Sequence, residues 1–211
     1  FPDGSLPAPP IALVEVQGYV YDAKVRAAAI FARLGERDMA ERLTTEAERL
    51  RKRVLDAFWL EELGTFGLAL DGEKRLVPTV TSNAGHLLWS RLPDLPHARR
   101  VAATLLAPDM FCGWGIRTLS ARHAVFNPMS YHNGSVWPHD NAMIVIGLSH
   151  YGLGANALPV VAATQDAAAT ANSNRLPELY CGMIRAGVPS PVRYPVSCSP
   201  QAWASGALFM M

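Results

Sequence analysis

The sequence from Tyr131 to Asp140 reads Tyr-His-Asn-Gly-Ser-Val-Trp-Pro-His-Asp, and an uncharged, mostly apolar run, 141–148, follows it. Burying so many polar groups against an apolar helix is costly unless the groups are used, which favours the rim of a binding site. A purely structural interpretation is also open: Asn133 and Ser135 would shape a turn, and Asp140 would complement the helix dipole. Similar polar and aromatic segments recur along the chain, and this recurrence favours the binding site.

The recurrence has a regular period. Comparable segments stand at Glu15, Ser82, Pro138 and Gln201, at intervals of 67, 56 and 63 residues. A helix-pair period near 60 residues indicates stacked helical hairpins. If alternate helices line an inner ring, their N-terminal ends open on one face, and that face is the site. The sequence therefore predicts an all-α fold, an (α/α) toroid, with an open α-solenoid as the alternative.

Hydrophobic periodicity predicts seven helices. They span residues 11–34, 36–59, 83–92, 96–106, 141–151 and 156–171, with a last helix starting at 201. The first helix is apolar on most sides, so we expect it to be buried on most sides, whereas the second has one apolar stripe. Around Asp71-Gly72 the helical period breaks, which predicts a small β-hairpin within residues 64–81.

Composition sets broad limits. The chain has 211 residues, half of them hydrophobic, which suits a single domain or a piece of one. With a net charge of +1 and only short apolar runs, neither a nucleic acid nor a membrane is an expected partner. Cys112, Cys181 and Cys198 show no metal-ligand or disulfide spacing, so we expect no metal, no cofactor and a reducing, cytoplasmic setting.

The recurring segments hold the side chains that bind carbohydrate: aromatic rings for stacking and polar groups for hydroxyls. The rings are Trp114, Tyr131, Trp137, Tyr180 and Trp203, and the polar groups are Glu15, Gln17, Arg117, His132, Asn133 and Asp140. No phosphate loop or nucleophile elbow competes with them. An oligosaccharide or glucoside is therefore the expected ligand.

Six motifs resemble the C-terminal catalytic region of amylo-α-1,6-glucosidase-type glycogen debranching proteins. They are Glu15-Val-Gln-Gly-Tyr19, Ser82-Asn-Ala-Gly-His86, Gly113-Trp-Gly-Ile-Arg-Thr118, Tyr131-His-Asn-Gly-Ser-Val-Trp137, Leu176-Pro-Glu-Leu179 and Ser199-Pro-Gln-Ala-Trp203. The resemblance covers essentially the whole chain, although similar toroids also hold trehalases and processing α-glucosidases. It implies an (α/α)6 toroid, and it adds Tyr19, His86 and Gln201 to the expected substrate contacts.

The resemblance also implies an inverting, exo-acting glycoside hydrolase for α-glucosidic linkages. Such an enzyme needs two carboxyl groups, one that protonates the leaving oxygen and one that activates a water. Glu178 matches the general base, and we expect partial burial among its neighbours to raise its pKa. The family's general acid lies in a Trp-Lys-Asp-Ser-like motif upstream of the segment that corresponds to Pro2 to Glu15. Glu15 or Asp140 could replace it.

We therefore expect residues 1–211 to be the C-terminal part of one catalytic domain, with the base but without the acid, and inactive alone. An incomplete ring would expose an apolar flank, which predicts self-association or pairing with the missing N-terminal part of the same polypeptide. A non-catalytic carbohydrate-binding or regulatory toroid is the alternative function. A solenoid scaffold that binds proteins is a third.

Overall fold

The structure is a computed structural model that describes Phe1 and residues 3–211. Seven α-helices lie within these residues: α1 (Val14–Arg33), α2 (Arg37–Phe58), α3 (Asn83–Trp89), α4 (Leu95–Leu105), α5 (Pro138–His150), α6 (Gly154–Thr170) and α7 (Ala202–Met210). The short strands are β1 (Ala12–Leu13), β2 (Trp59–Leu60), β3 (Thr65–Phe66), β4 (Ala69–Leu70) and β5 (Leu76–Val77). All seven predicted helices are present, with ends shifted by a few residues.

The helices form hairpins whose first members make one continuous row. α1 packs on α2, α3 on α4 and α5 on α6, while α1 contacts α3, α3 contacts α5 and α5 contacts α7. Helices α1, α3, α5 and α7 are therefore inner helices, and α2, α4 and α6 lie outside them. This is the alternation that the sequence period predicts, and it places the N-terminal ends of the inner helices on one face.

Glycine allows the inner helices to approach closely. A Cβ at Gly18 in α1 would lie 2.7 Å from Cδ2 of Leu87 in α3, and one at Gly147 in α5 would lie 2.6 Å from the backbone nitrogen of Trp89. These distances are below ordinary van der Waals contact, so larger residues would push the helices apart. The row of inner helices therefore depends on small residues at its crossing points.

The predicted β-hairpin is present and belongs to a slightly larger sheet. β4 pairs with β5 in antiparallel register, Ala69 opposite Val77, and β1 adds to the other edge of β4 with Ala12 opposite Leu70. β2 and β3 form a separate antiparallel pair. Because β1 runs directly into α1, its pairing fixes where α1 begins.

Two hydrophobic clusters form the core. The larger one contains residues from each of the helices α1 to α6 and from the strands, and it includes Phe66, Leu87, Leu88 and Ile144. The smaller one contains residues of α6 and α7 together with residues of two loops, the loop between α4 and α5 and the loop between α6 and α7. Its buried members are Cys112, Trp114, Val136, Ala167, Ala168, Leu176, Tyr180 and Ala204. The second cluster matters for function, because it holds the loop that carries Glu178 against the Tyr131 to Asp140 segment.

The prediction that the first helix is buried on most sides is wrong. Large apolar side chains on one side of α1 face solvent, with Ile30 58% and its C-cap residue Leu34 69% exposed. Together they form the α1 stripe, which runs at alternating spacings of four and three residues: Val16, Val20, Ala23, Ala27, Ile30 and Leu34. Such spacing is typical of a helix that packs against another helix. No described element covers that face.

Candidate active site

A cavity of about 490 Å³ opens on the face where the inner helices begin. Its walls come from the β1–α1 junction, the segment that leads into α3, the loop at Thr118 and Leu119, and the start of α5. The lining residues are Leu13, Glu15, Leu68, Thr81, Ser82, Asn83, Thr118, Leu119, His132, Asn133, Trp137, His139, Asp140 and Trp203. Six of them are predicted substrate-binding residues.

A second cavity of about 500 Å³ lies beside α4, lined in part by Glu62, Asp109, Arg122 and His123. It contains none of the predicted site residues. The polar and aromatic groups converge instead on the first cavity, which we take as the candidate active site.

Local hydrogen bonds shape the segment from Tyr131 to Asp140. The Ser135 hydroxyl donates to the Tyr131 carbonyl at 2.7 Å, and the Trp137 indole N–H donates to the Ser135 hydroxyl at 2.9 Å. Val136 and Tyr180 exchange two backbone hydrogen bonds, of 2.9 and 3.0 Å. This last pairing brings the loop of Glu178 alongside the loop of Tyr131.

Glu178 is half-buried and is held by donors on both oxygens. The Tyr131 hydroxyl donates to Oε1 at 2.7 Å, and the backbone N–H of Cys198 lies 3.3 Å from Oε2. The Tyr131 hydrogen bond lowers the pKa of Glu178, against the opposing effect of burial, with further help from Cys198, Gln201 and the nearby His139. The expectation of a raised pKa is therefore wrong, because donors to the carboxylate outweigh its partial burial. An ionised carboxylate suits a general base.

Aromatic rings form one side of the cavity. The rings of His132 and Trp137 are parallel, with centroids 6.1 Å apart, and those of His139 and Trp203 stack at 4.3 Å. Tyr131 packs edge-on against Trp137 at 4.9 Å. Flat, partly exposed rings of this kind pack against the apolar face of a pyranose.

Polar groups surround the same cavity. Oδ1 of Asp140 lies 2.5 Å from Nε2 of His86, and Nδ1 of His86 is hydrogen-bonded to the Tyr19 hydroxyl. Within the described residues, Oε2 of Glu15 and Oδ2 of Asp140 are buried without a hydrogen-bond partner. Nδ1 of His139 and Oε1 of Gln201 are in the same condition. Several unpaired polar atoms around one cavity are unusual in a structural core, because buried polar groups are normally satisfied.

The predicted site residues fall into three groups. Those that line the cavity are Glu15, His132, Asn133, Trp137, Asp140 and Trp203. Tyr19 and His86 lie directly behind Asp140, while Tyr131 and Gln201 surround Glu178. Glu178 itself does not line the cavity. It contacts Tyr131, which packs against the lining residue Trp137. The third group does not reach the cavity: Gln17, Trp114, Arg117 and Tyr180.

These four residues have other roles in the structure. Tyr180 is buried, and its hydroxyl donates to the Trp114 carbonyl at 2.7 Å. The Arg117 guanidinium donates to the carbonyls of Gly182, Pro108 and Asp109, so it fixes a loop. Trp114 is fully buried in the smaller core cluster, and Gln17 donates to a backbone carbonyl one turn earlier, that of Leu13. Their predicted contact with substrate is not supported, because arginine and tryptophan also serve cores and loops and sequence alone does not separate the two uses.

Sequence reasoning did not single out several lining residues. His139 stands inside the Tyr131 to Asp140 segment, and Asn83 inside the motif from Ser82 to His86, so both were within reach. Leu68 and Leu119 carried no signal, because their places follow from strand pairing.

Within the described chain, no group of three or more histidine, cysteine or acidic side chains is arranged to hold a metal ion. Of the helices in this part of the chain, none is both long and apolar enough to cross a bilayer.

Comparison with known proteins gives a family and a fold. Residues 7–183 match the family described as mannosylglycerate hydrolase MGH1-like glycoside hydrolase domain. No curated protein sequence gives a significant match. The family named is thus a glycoside hydrolase family of the six-hairpin type, and the narrower resemblance to glycogen debranching proteins is not specifically confirmed.

Solved structures agree on the fold. The GH63 mannosylglycerate hydrolase from Thermus thermophilus in complex with Tris superposes with a TM-score of 0.76 at 21% identity, covering 94% of this chain and 45% of that one. An uncharacterized conserved protein from the same organism gives 0.77 at 17% identity, covering 95% and 46%. Neutral trehalase from Saccharomyces cerevisiae gives 0.72 at 14% identity, covering 95% and 37%. The likeness confirms the predicted toroid fold, and the chain spans under half of the length of these structures.

Proposed function

Since the chain belongs to the family of mannosylglycerate hydrolase MGH1-like glycoside hydrolase domains, we propose that it supplies the base-bearing part of an inverting, exo-acting glycosidase. Residues 1–211 would form the C-terminal part of a single catalytic domain. The observation that carries the proposal is Glu178, a carboxylate with a lowered pKa that stands beside an aromatic-lined cavity and is joined to it through Tyr131 and Trp137. A cytoplasmic setting is part of the proposal and is supported by the three free cysteines.

In the proposed reaction Glu178 takes a proton from a water molecule as that water attacks the anomeric carbon. The bond from this carbon to the leaving oxygen breaks, and a carboxylic acid on the other side protonates that oxygen. In inverting enzymes the two carboxyl groups stand about 6.5–9.5 Å apart, which leaves room for the water. We propose that the acid belongs to a segment upstream of residue 1, with Glu15 and Asp140 as the nearest substitutes within this chain.

The proposed substrates are α-glucosidic linkages of small or branched glucosides, including the α-1,6 linkage that the sequence motifs imply. Three features support a sugar. The cavity combines stacked rings with unpaired acceptors, the family is one of glycoside hydrolases, and related structures are complexes with glucose and with D-glycerate and Tris. A cavity of about 490 Å³ has room for one or two sugar units rather than for a long chain.

We further propose that another part of the same polypeptide covers the α1 stripe. Its regular spacing fits a neighbouring helix, and the solved relatives are about twice as long as this chain. Without that part, the stripe would favour pairing of two copies of this chain, because exposed apolar patches of this kind promote association.

Glu178→Gln in the natural full-length polypeptide tests the hydrolase. Turnover of an α-glucoside should fall by about a thousandfold or more, with a much smaller change in affinity, because a catalytic carboxylate acts mainly in the transition state. Glu48→Gln, an exposed glutamate on α2, is the matched control and should leave turnover unchanged. Equal turnover in both variants would overturn the assignment of Glu178.

The second candidate function is a non-catalytic carbohydrate-binding or regulatory toroid. One observation favours it: the aromatic and polar groups line the cavity directly, whereas Glu178 stands beside it. In that case the full-length polypeptide would bind glucosides with an affinity that Trp137→Leu lowers, but would hydrolyse none of them.

A further inference from the structure

A chain of hydrogen bonds links three inner helices beneath the cavity. Tyr19 of α1 contacts Nδ1 of His86 in α3, and Nε2 of His86 contacts Oδ1 of Asp140 in α5. His86 is 9% exposed and Asp140 7% exposed, so the chain is nearly closed to solvent. The partners are 67 and 54 residues apart in sequence, and the toroid packing alone brings them together.

The proton positions in this chain follow from its acceptors. A carboxylate oxygen accepts hydrogen bonds, so the Nε2–H of His86 donates to Oδ1 of Asp140. Below the raised pKa of His86, Nδ1 also carries a proton and donates to the Tyr19 hydroxyl, whereas above it Nδ1 accepts from that hydroxyl. Burial and the charges of Glu15 and Asp140 raise the pKa of Tyr19 to about 12. The hydroxyl thus stays protonated. His86 is hydrogen-bonded at both ring nitrogens, and it fixes the orientation of the Asp140 carboxylate.

The other oxygen of Asp140 has a different environment. Oδ2 is buried and has no partner among the described residues, and the same is true of Oε2 of Glu15. Both residues line the cavity, and both charges act on Tyr19 and on His86, so the two carboxylates flank the same histidine. Two acceptor oxygens that are otherwise unpaired call for two hydrogen-bond donors from a bound molecule.

We infer that Glu15 and Asp140 form a recognition pair for two hydroxyl groups of a neutral sugar ring, and that His86 is the positioning residue that orients Asp140 for this contact. The inference rests on the proposed function, since it takes the cavity as the glycoside site. It adds a specificity that the base at Glu178 does not provide. A sugar that lacks one of these hydroxyls leaves an acceptor unpaired, and one that carries a carboxylate there is repelled by both charges.

Deoxy sugars test the pair. Binding of glucose and of 2-, 3-, 4- and 6-deoxyglucose to the 211-residue chain is measured by NMR titration. Two of the four deoxy sugars should bind about tenfold or more weakly than glucose, because a site built to bind a hydroxyl rejects the analogue without it. Glu15→Ala should remove the discrimination against one of them and Asp140→Ala against the other, because alanine has no acceptor for the hydroxyl. The inference is overturned if all five sugars bind equally or if glucose does not bind. It is also overturned if each variant loses the same affinity for all five sugars.

The positioning role of His86 is tested by a measurement that a merely structural residue would not change, the discrimination among deoxy sugars. His86→Leu should lose the same deoxy-sugar discrimination as Asp140→Ala while keeping the one that depends on Glu15. His86→Gln offers an amide N–H to Asp140 and should restore part of it. His97→Gln is the matched control, because His97 makes a similar 2.6 Å contact with Asp94 far from the cavity. If His86→Leu does not fold, the Gln variant decides: loss of both discriminations in His86→Gln contradicts the positioning role.

The two proposals fail separately. Hydrolysis that depends on Glu178, with all five sugars bound alike, would leave the hydrolase standing and remove the recognition pair. Discrimination that depends on Glu15 and Asp140, with no hydrolysis by the full-length polypeptide, would keep the pair and favour the carbohydrate-binding alternative.

Discussion

The Tyr131 hydroxyl donates a 2.7 Å hydrogen bond to Oε1 of Glu178, across 47 residues of sequence. This single contact orients the carboxylate and favours its ionised form, two requirements of a general base that must accept a proton from a positioned water. The same hydrogen bond is the main reason that the pKa of Tyr131 is raised to about 12, so the donor keeps its proton.

Replacing Tyr131 by phenylalanine should raise the pKa of Glu178. The hydrogen bond favours the charged carboxylate, so its loss moves the midpoint of the Glu178 titration to higher pH. The acid limb of a pH–rate profile of the full-length polypeptide should shift in the same direction. The measurement is a carboxyl carbon NMR titration of the chain. Tyr194→Phe is the control, because the Tyr194 ring packs 5.5 Å from that of Tyr131 and the change removes a hydroxyl without touching Glu178. An unchanged midpoint in Tyr131→Phe would contradict the assigned cause.

Replacing Trp203 by alanine should weaken glucose binding by roughly 2- to 10-fold, since an aromatic pair is worth about 0.5–1.5 kcal/mol. Trp203 stacks on His139 at the cavity wall and is 55% exposed. Phe209→Ala on the same helix is the control, because Phe209 is 93% exposed and lies outside the cavity lining. The free energy of unfolding of both variants should lie within about 0.5 kcal/mol of that of the parent. Equal glucose affinities in the two variants would remove Trp203 from the site.

Replacing Gly147 by alanine should lower the free energy of unfolding by about 1–3 kcal/mol, because the added Cβ would meet the α3 backbone at 2.6 Å. Gly206→Ala should instead raise it, by about 0.5–1 kcal/mol, because no heavy atom lies within 4 Å of the added group and alanine favours a helix. Urea unfolding of both variants measures whether the free energy of unfolding falls in the first and rises in the second. Stabilisation by Gly147→Ala would contradict the close α3–α5 packing.

The His86–Asp140 contact should make stability depend on pH in a defined direction. Burial opposes protonation of His86, but the hydrogen bond and charge of Asp140 outweigh it, so the pKa lies above the ordinary value of 6.5. A raised pKa contributes stability that is fully present below about pH 6.5 and is lost as pH rises through the folded-state value. His86→Gln should lack this slope. Parallel unfolding curves for both proteins from about pH 5 to 9 would contradict a raised pKa for His86.

The α1 stripe should drive self-association of the 211-residue chain. Ile30→Glu combined with Leu34→Glu places two charges on the stripe and should shift the chain towards monomer in sedimentation velocity runs. Glu36→Lys, next to the helix but outside the stripe, is the control. A parent chain that stays monomeric at high concentration would show that the stripe does not pair copies.

Much of the fold was available from local pattern. The period near 60 residues indicated the hairpins. The helices were found either from a 3.6-residue apolar repeat, as in α2, or from an apolar stretch that follows a loop, as in α5. Burial was harder to predict, because α1 has the composition of a central helix but packs on one side only. Composition indicates what a surface can bind, and the neighbours decide whether it is covered.

The sequence by itself determined the residue types of the candidate site: rings, imidazoles and single carboxylates, most of them next to helix starts. The choice of Glu178 among the carboxylates came from the resemblance to a family. Tertiary structure decided which of them meet. It paired Glu178 with Tyr131, placed His86 between Tyr19 and Asp140, and turned Arg117 towards backbone carbonyls. The physical reason is that a side chain's partners, and therefore its pKa and its free donors and acceptors, depend on contacts between elements that lie tens of residues apart. Local periodicity contains no information about those contacts.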